Sequence, residues 1–261
     1  RSNTMRTLLL LTICIIFIAV PVFGEYESPL SLYRDNYFIT GDDSDQTKFQ
    51  LSLKYSIFYP SRLGIFAAYT QKSWWKTHDK SSPFYESNYQ PEAFVRFESK
   101  NNMLGNLNLG IIDYIQVAPI YHCSNGQEGI DNRSMNTYYG EIQLSIGKVY
   151  NIGAAGKVFG YYNTAKENKD IDNYIGHYEA DCFFKLKSAS TFFLDKEELH
   201  VRFGGYGEDN TKGWYCIEAS VRLVTSIIQP RLFIQYYNGY GEWLVNYNQK
   251  EESLRVGLSF N

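Results

Sequence analysis

The chain has 261 residues, of which 44% are hydrophobic, 17% aromatic and 20% charged, with a formal net charge of −3. So much apolar side chain beside so little net charge excludes an intrinsically disordered chain, and the acidic balance excludes a basic nucleic-acid binder, so no nucleic acid is expected as a partner. Past the N-terminus no window of roughly 18 uncharged apolar residues occurs, which excludes a bundle of membrane-spanning helices and leaves one membrane class, the β-barrel; its aromatic girdles would use the 23 Tyr and 17 Phe.

Arg6 precedes an uncharged run over residues 8–20 that is apolar but for Thr12, and Pro21 and Gly24 then supply a break and a small residue ahead of Glu25. This is the pattern of a secretory signal peptide, expected over residues 1–24, with Met5 as the start and residues 1–4 lying upstream of the gene product. The run is shorter than the roughly 20 residues that an uncleaved anchor helix needs. Residues 25–261 then form one barrel domain. Without Cys14 the domain keeps Cys123, Cys182 and Cys216, an odd set that leaves one Cys182–Cys216 bridge open.

Alternation with a period of two runs through this domain. Phe49, Leu51, Leu53, Tyr55, Ile57 and Tyr59 alternate with Lys48, Gln50, Ser52, Lys54 and Ser56. Tyr215, Ile217, Ala219 and Val221 alternate with Cys216, Glu218, Ser220 and Arg222, and Leu254, Val256, Leu258 and Phe260 with Ser253, Arg255, Gly257 and Ser259. Charged and amide side chains recur on the polar face, as a wet lumen requires, so the oily face is assigned to lipid. Strands are predicted over 32–41, 47–59, 62–72, 89–99, 106–122, 136–147, 151–164, 173–187, 197–205, 213–224, 228–238 and 251–260. The expected fold is thus all-β, a twelve-stranded antiparallel transmembrane β-barrel, with residues 77–88 and 128–133 in outer loops.

One segment carries candidate chemistry. His122 and Ser124 are two apart and share a strand face, setting a base beside a hydroxyl nucleophile. Asn136 begins the next strand and supplies an amide to orient the imidazole. Asn136 shares parity with Tyr138, Ile142, Leu144 and Ile146 and belongs to the lipid face, whereas His122 and Ser124 are even where Leu107, Leu109, Ile111, Ile115 and Val117 are odd. Either the pair lies off the oily face or the register shifts; Pro119 stands between the two sets, and a bulge is predicted near Ala118 and Pro119. The plain alternative is an idle His-x-Ser at a hydrated loop mouth. A zinc site is disfavoured, because Cys123 points the other way.

Several segments in order resemble the bacterial outer membrane phospholipase A family: Ser73-Trp74-Trp75, Ser81-Ser82-Pro83-Phe84, Glu86-Ser87-Asn88-Tyr89-Gln90-Pro91-Glu92, His122-Cys123-Ser124-Asn125-Gly126, Arg133-Ser134-Met135-Asn136, Asp170-Ile171, Tyr174-Ile175-Gly176 and Tyr236-Tyr237-Asn238-Gly239-Tyr240-Gly241-Glu242. The resemblance implies a barrel of the Gram-negative outer membrane, surrounded by its lipid, that hydrolyses the sn-1 and sn-2 acyl esters of phospholipids with Ca2+ as cofactor and is active as a homodimer. By position it implies Ser124 as nucleophile, His122 as general base, Asn136 as orienting group and the Gly126 amide as oxyanion donor. It further implies calcium ligands at Ser81, from the partner subunit, at the Gln127 carbonyl and at Asn132, another calcium site at Asp170, and a dimer-interface role for Gln71. The chain departs from better-known members in carrying Asn132 for serine and Gln127 for arginine, and in ending on Asn261 after Phe260. The rival readings are a non-catalytic pore or adhesion barrel and a soluble lipid-binding barrel.

Overall fold

The computed structural model describes residues 29–41, 47–59, 62–77, 80–81, 83–99, 111–147, 150–186, 194–205, 212–223 and 230–260. Strands β1 (Leu30–Leu32) and β2 (Asn36–Gly41) both pair with β3 (Thr47–Phe58). β1 lies along Leu53 to Tyr55 and β2 along Thr47 to Gln50, so the two are one stave interrupted at residues 33–35. The chain then runs through β4 (Leu63–Trp75), β5 (Phe84–Glu98), β6 (Ile112–Ser124), β7 (Ser134–Ile146), β8 (Tyr150–Thr164), β9 (Tyr178–Leu186), β10 (Leu194–Gly204), β11 (Trp214–Leu223), β12 (Arg231–Tyr240) and β13 (Lys250–Phe260). From β2 onward each strand pairs antiparallel with the next, and β13 closes on β2 through Leu258 opposite Phe38, giving a closed barrel of twelve staves.

The alternation orients the wall as expected. Ile57, Leu63, Val117, Ile142, Val158 and Leu254 are exposed on the outside, while Lys48, Ser52, Gln116, Glu218 and Arg255 are buried inside. Buried charge is tolerable only when paired, and the lumen pairs it. The Lys48 ammonium reaches Glu242 and Gln235 at 2.9 Å each, and Arg255 reaches the same Glu242 oxygen at 2.9 Å. Arg34 bonds Glu92 at 3.1 Å, and Tyr139 donates to the other oxygen of that carboxylate. The inside is not wholly polar: Tyr33, Phe94 and Phe66 form a stack with centroids 5.2 and 5.1 Å apart.

At one mouth, residues 241–249 fold inward as a plug. The Leu244 and Val245 amides donate to buried Glu86 at 2.7 and 3.0 Å, and Trp243 stacks on Trp74. Burial opposes ionisation of Glu242, but the cations of Lys48 and Arg255 outweigh it and hold the carboxyl below its ordinary value.

The structure corrects the expected boundaries at three places. β5 begins at Phe84, so residues 84–88, assigned above to a loop, are strand; Glu86 and Asn88 point inward and pair opposite Trp74 and Lys72. Residues Asp172–Ile175 form a helical turn, which Gly176 ends at φ 71°, and β9 starts only at Tyr178. A register shift between Ser56 and Phe58 turns Tyr59 off the outer face; its ring meets Phe66 and its hydroxyl donates to Glu98 at 2.7 Å. The expected signal peptide, the first residues of the predicted 106–122 strand and Asn261 lie outside the described residues. Cys182 is on the exposed side of β9 and Cys216 is buried on the other side of the wall, so both stay free, as does Cys123.

Candidate active site

The bulge expected in β6 is present on both flanks. Toward β7, Ala118 faces Tyr139 but Tyr121 faces Thr137; toward β5, Val117 faces Val95 but Ile120 faces Ala93. One extra residue is therefore inserted around Pro119, which has no N–H to give to a ladder. Before the bulge the odd residues Ile115 and Val117 are exposed, and after it the outward set is even: Ile120, His122 and Ser124. Tyr121 and Cys123 turn into the barrel, where Cys123 is fully buried.

This shift carries His122 and Ser124 onto the wall that already holds Asn136. His122 stands directly opposite Asn136 in the ladder, and its Nδ1 lies 2.9 Å from Asn136 Oδ1. An amide oxygen only accepts, so this contact sets the proton on Nδ1 and leaves Nε2 with a free lone pair. Ser124 pairs with Tyr89 on one side and Ser134 on the other. Its Oγ accepts the Gly126 amide at 3.1 Å. No hydrogen bond joins Ser124 to His122 among the described residues; contacts of this kind often tighten only when substrate binds. The geometry is a hydroxyl, an oriented imidazole and a main-chain donor grouped on an oily surface.

The connection from β6 to β7 is short and cross-braced. Gly126 has φ +67°, and a Cβ there would come within 2.8 Å of the Tyr89 ring, so glycine is required twice over. Residues Gly129–Asp131 make a 3-10 turn, closed by the Asn132 amide on the Gly129 carbonyl at 3.2 Å. Arg133 Nη1 donates to the carbonyls of Ile130 and Asn132 at 2.7 and 2.9 Å, and its guanidinium lies 6.0 Å from the Tyr247 ring centre. Asn168, from the segment between β8 and β9, holds the start of β7 by bonding both the amide and the carbonyl of Ser134.

The remaining candidates are distributed around the same rim. Gln127 is exposed and Asn132 half-buried on the β6–β7 connection itself. Ser81 is exposed between β4 and β5, with φ 74°. Asp170, between β8 and β9, accepts the Tyr247 hydroxyl. Burial and that carboxylate together push the Tyr247 phenol above its ordinary range. Among the described residues no group of three or more His, Cys, Asp or Glu is placed to hold a metal, so the donors at hand are hydroxyl, amide and carbonyl oxygens and the Asp170 carboxylate. Gln71 points outward, not into the lumen, and stands opposite Tyr89, whose other neighbour is Ser124. It bonds Ser73 and Tyr69 at 3.1 Å each. Sequence reasoning gave no role to Asn125, Asn168 or Tyr247, whose parts depend on burial and on contacts between distant loops.

The profile of the phospholipase A1 family matches residues 19–260. The phospholipase A1 of Escherichia coli K12 is 29% identical over 267 residues, covering 91% of this chain and 84% of that one. That of Klebsiella pneumoniae is 31% identical over 228 residues, covering 83% and 71%. Among solved structures, outer membrane phospholipase A from Escherichia coli superposes with a TM-score of 0.72 at 25% identity, over 89% of this chain and 94% of that one. The Salmonella typhi outer membrane phospholipase, a dimer with bound calcium, has the same fold, with a TM-score of 0.72 at 24% identity over 94% of this chain and 97% of that one. With nearly its whole length matched and its oily wall turned outward, the chain belongs to the phospholipase A1 family and is a phospholipid ester hydrolase of the Gram-negative outer membrane.

Proposed function

We propose that the chain cleaves the sn-1 and sn-2 acyl esters of phospholipids at Ser124, using His122 and Asn136, with calcium and as a homodimer, after removal of residues 1–24 as a signal peptide. The observation that carries this reading is the 2.9 Å contact from His122 to Asn136 on the outer wall, beside Ser124. Acyl chains then reach the hydroxyl without leaving the hydrocarbon.

In this mechanism His122 Nε2 takes the proton from Ser124 Oγ as that oxygen bonds the acyl carbonyl carbon. The Asn136 oxygen keeps the ring in the required tautomer and steadies the imidazolium without a second charge. The Gly126 N–H, which rests on Ser124 Oγ in the free enzyme, turns to the developing oxyanion. As the carbon to glycerol-oxygen bond breaks, His122 returns the proton to the leaving alkoxide. Water then repeats the cycle on the acyl-serine and releases the fatty acid.

The oxygen-only donor set fits a hard cation, provided that waters and a second subunit complete it. The Gln127 carbonyl, Asn132 and the partner's Ser81 would hold calcium near Ser124, and Asp170 would serve another calcium; bound there, the ion supplies positive charge beside the oxyanion. Asn132 offers an amide oxygen in place of a hydroxyl, and a carbonyl serves at Gln127 whatever the side chain. Gln71, outward and one strand from the Ser124 neighbour Tyr89, belongs to the dimer face in this reading. A pore is disfavoured by the plug over residues 241–249 and by the paired charges within.

The test is hydrolysis of a phosphatidylcholine labelled at either acyl position in detergent, with calcium and then with chelator. Wild type should release both acyl chains and lose activity on chelation. Ser124→Ala should fall by about 10⁴-fold or more while migrating as a folded barrel. Retained hydrolysis by that variant would overturn the assignment.

A further inference from the structure

Asn125 is the buried member of the β6–β7 connection, at 2% exposure, and all of its amide bonds go to the main chain of that connection. Its Oδ1 accepts the Gln127 N–H at 3.3 Å and the Arg133 N–H at 3.0 Å, while its Nδ2 donates to the Asp131 carbonyl at 2.7 Å. Its own backbone N–H donates to the Arg133 carbonyl at 3.0 Å. These bonds bracket Gly126 on both sides. A glycine at positive φ has no side chain to anchor it, and rotation of the peptide between Asn125 and Gly126 would exchange its N–H for a carbonyl oxygen. Such a carbonyl beside Ser124 would repel an oxyanion.

We propose that Asn125 is the positioning residue of this site: its side chain clamps the connection so that the Gly126 N–H faces the atom that becomes the oxyanion. The proposal rests on the assignment of Ser124 as nucleophile. Asn125 touches neither substrate nor reacting atoms, and it acts through Gly126.

The experiment measures kcat and KM for phosphatidylcholine in detergent with calcium, on Asn125→Ala, Asn125→Asp, Gly126→Ala, Ser124→Ala and the double variant Asn125→Ala with Gly126→Ala. A misdirected donor should lower kcat in Asn125→Ala by about 10²-fold with KM within a few-fold of wild type. Asn125→Asp keeps both acceptor contacts and loses the donor to Asp131, so its kcat should fall less. Because both groups act through one N–H, the double variant should be no slower than Gly126→Ala alone. Unchanged kcat in Asn125→Ala, or a double variant slowed by the product of the single effects, would overturn the proposal. If Asn125→Ala does not assemble, as read by heat-modifiable migration, Asn125→Asp decides: a lowered kcat at constant KM supports the clamp and an unchanged kcat removes it. Activity retained by Ser124→Ala would fell the nucleophile assignment and this proposal with it, whereas a dead Ser124→Ala beside a normal Asn125→Ala fells this proposal alone.

Discussion

The lumen and the outer wall of this barrel use similar polar groups in opposite ways. Inside, Lys48, Arg255 and Gln235 converge on or around Glu242, and each cation has a partner at 2.9 Å. Outside, among the described residues, His122 is held at one nitrogen and Ser124 accepts one main-chain amide. The cluster pairs each cation with a carboxylate oxygen and serves structure. The wall keeps a free imidazole nitrogen and a hydroxyl in an oily setting, where an unsatisfied polar group is expensive, and that unspent capacity is what chemistry draws upon.

The sharpest way to break this division is to move the hydroxyl across the wall. In the double variant Cys123→Ser with Ser124→Ala the hydroxyl sits one position earlier in β6, on the lumen face, and hydrolysis should stay at the level of Ser124→Ala. A folded double variant that hydrolyses phospholipid faster than Ser124→Ala would show that the strand face does not set the site. Next in size, Glu242→Leu leaves the buried Lys48 and Arg255 cations without the carboxylate they share and should lower unfolding stability by roughly 3–5 kcal/mol, while the assembled fraction hydrolyses phospholipid at nearly the wild-type rate. Urea titration and specific activity on the same samples check both halves.

The smallest effect is set by acid. Glu242 ionises below its ordinary value of 4.5 when folded, so its contribution is complete above about that pH and disappears as pH falls through the lower folded value. Each unit of depression corresponds to about 1.4 kcal/mol. The melting temperature should therefore drop between pH 5 and pH 3, and Glu242→Gln should show a shallower drop over that window.

Much of the architecture was readable from residue order because a barrel wall separates lipid from lumen at every step. Phe49, Leu51 and Leu53 against Lys48, Gln50 and Ser52 declare both strand and face, and Pro119 betrayed the bulge by interrupting parity. The reading failed where local pattern and partner disagree. Residues 84–88 look like a polar loop, yet they pair with β4, and Glu86 turns inward to accept the amides of the plug residues Leu244 and Val245, about 160 positions away. Tyr59 continues an outward series but turns inside, since the shift beside Phe58 resets the pleat.

Alternation with period two beside charged and amide side chains pointed to the barrel and its oily exterior, and Pro119 between two parity sets pointed to the bulge that brings His122 and Ser124 to Asn136, because parity sets a strand's face wherever no bulge intervenes. The tertiary structure alone decided that Gln71 faces outward beside Tyr89, that Cys182 and Cys216 lie on opposite sides of the wall, and that Asn125 is a buried clamp while Gln127 two positions on is exposed. Those outcomes depend on which strand or loop arrives from far along the chain, and burial and hydrogen-bond partners are properties of that arrival.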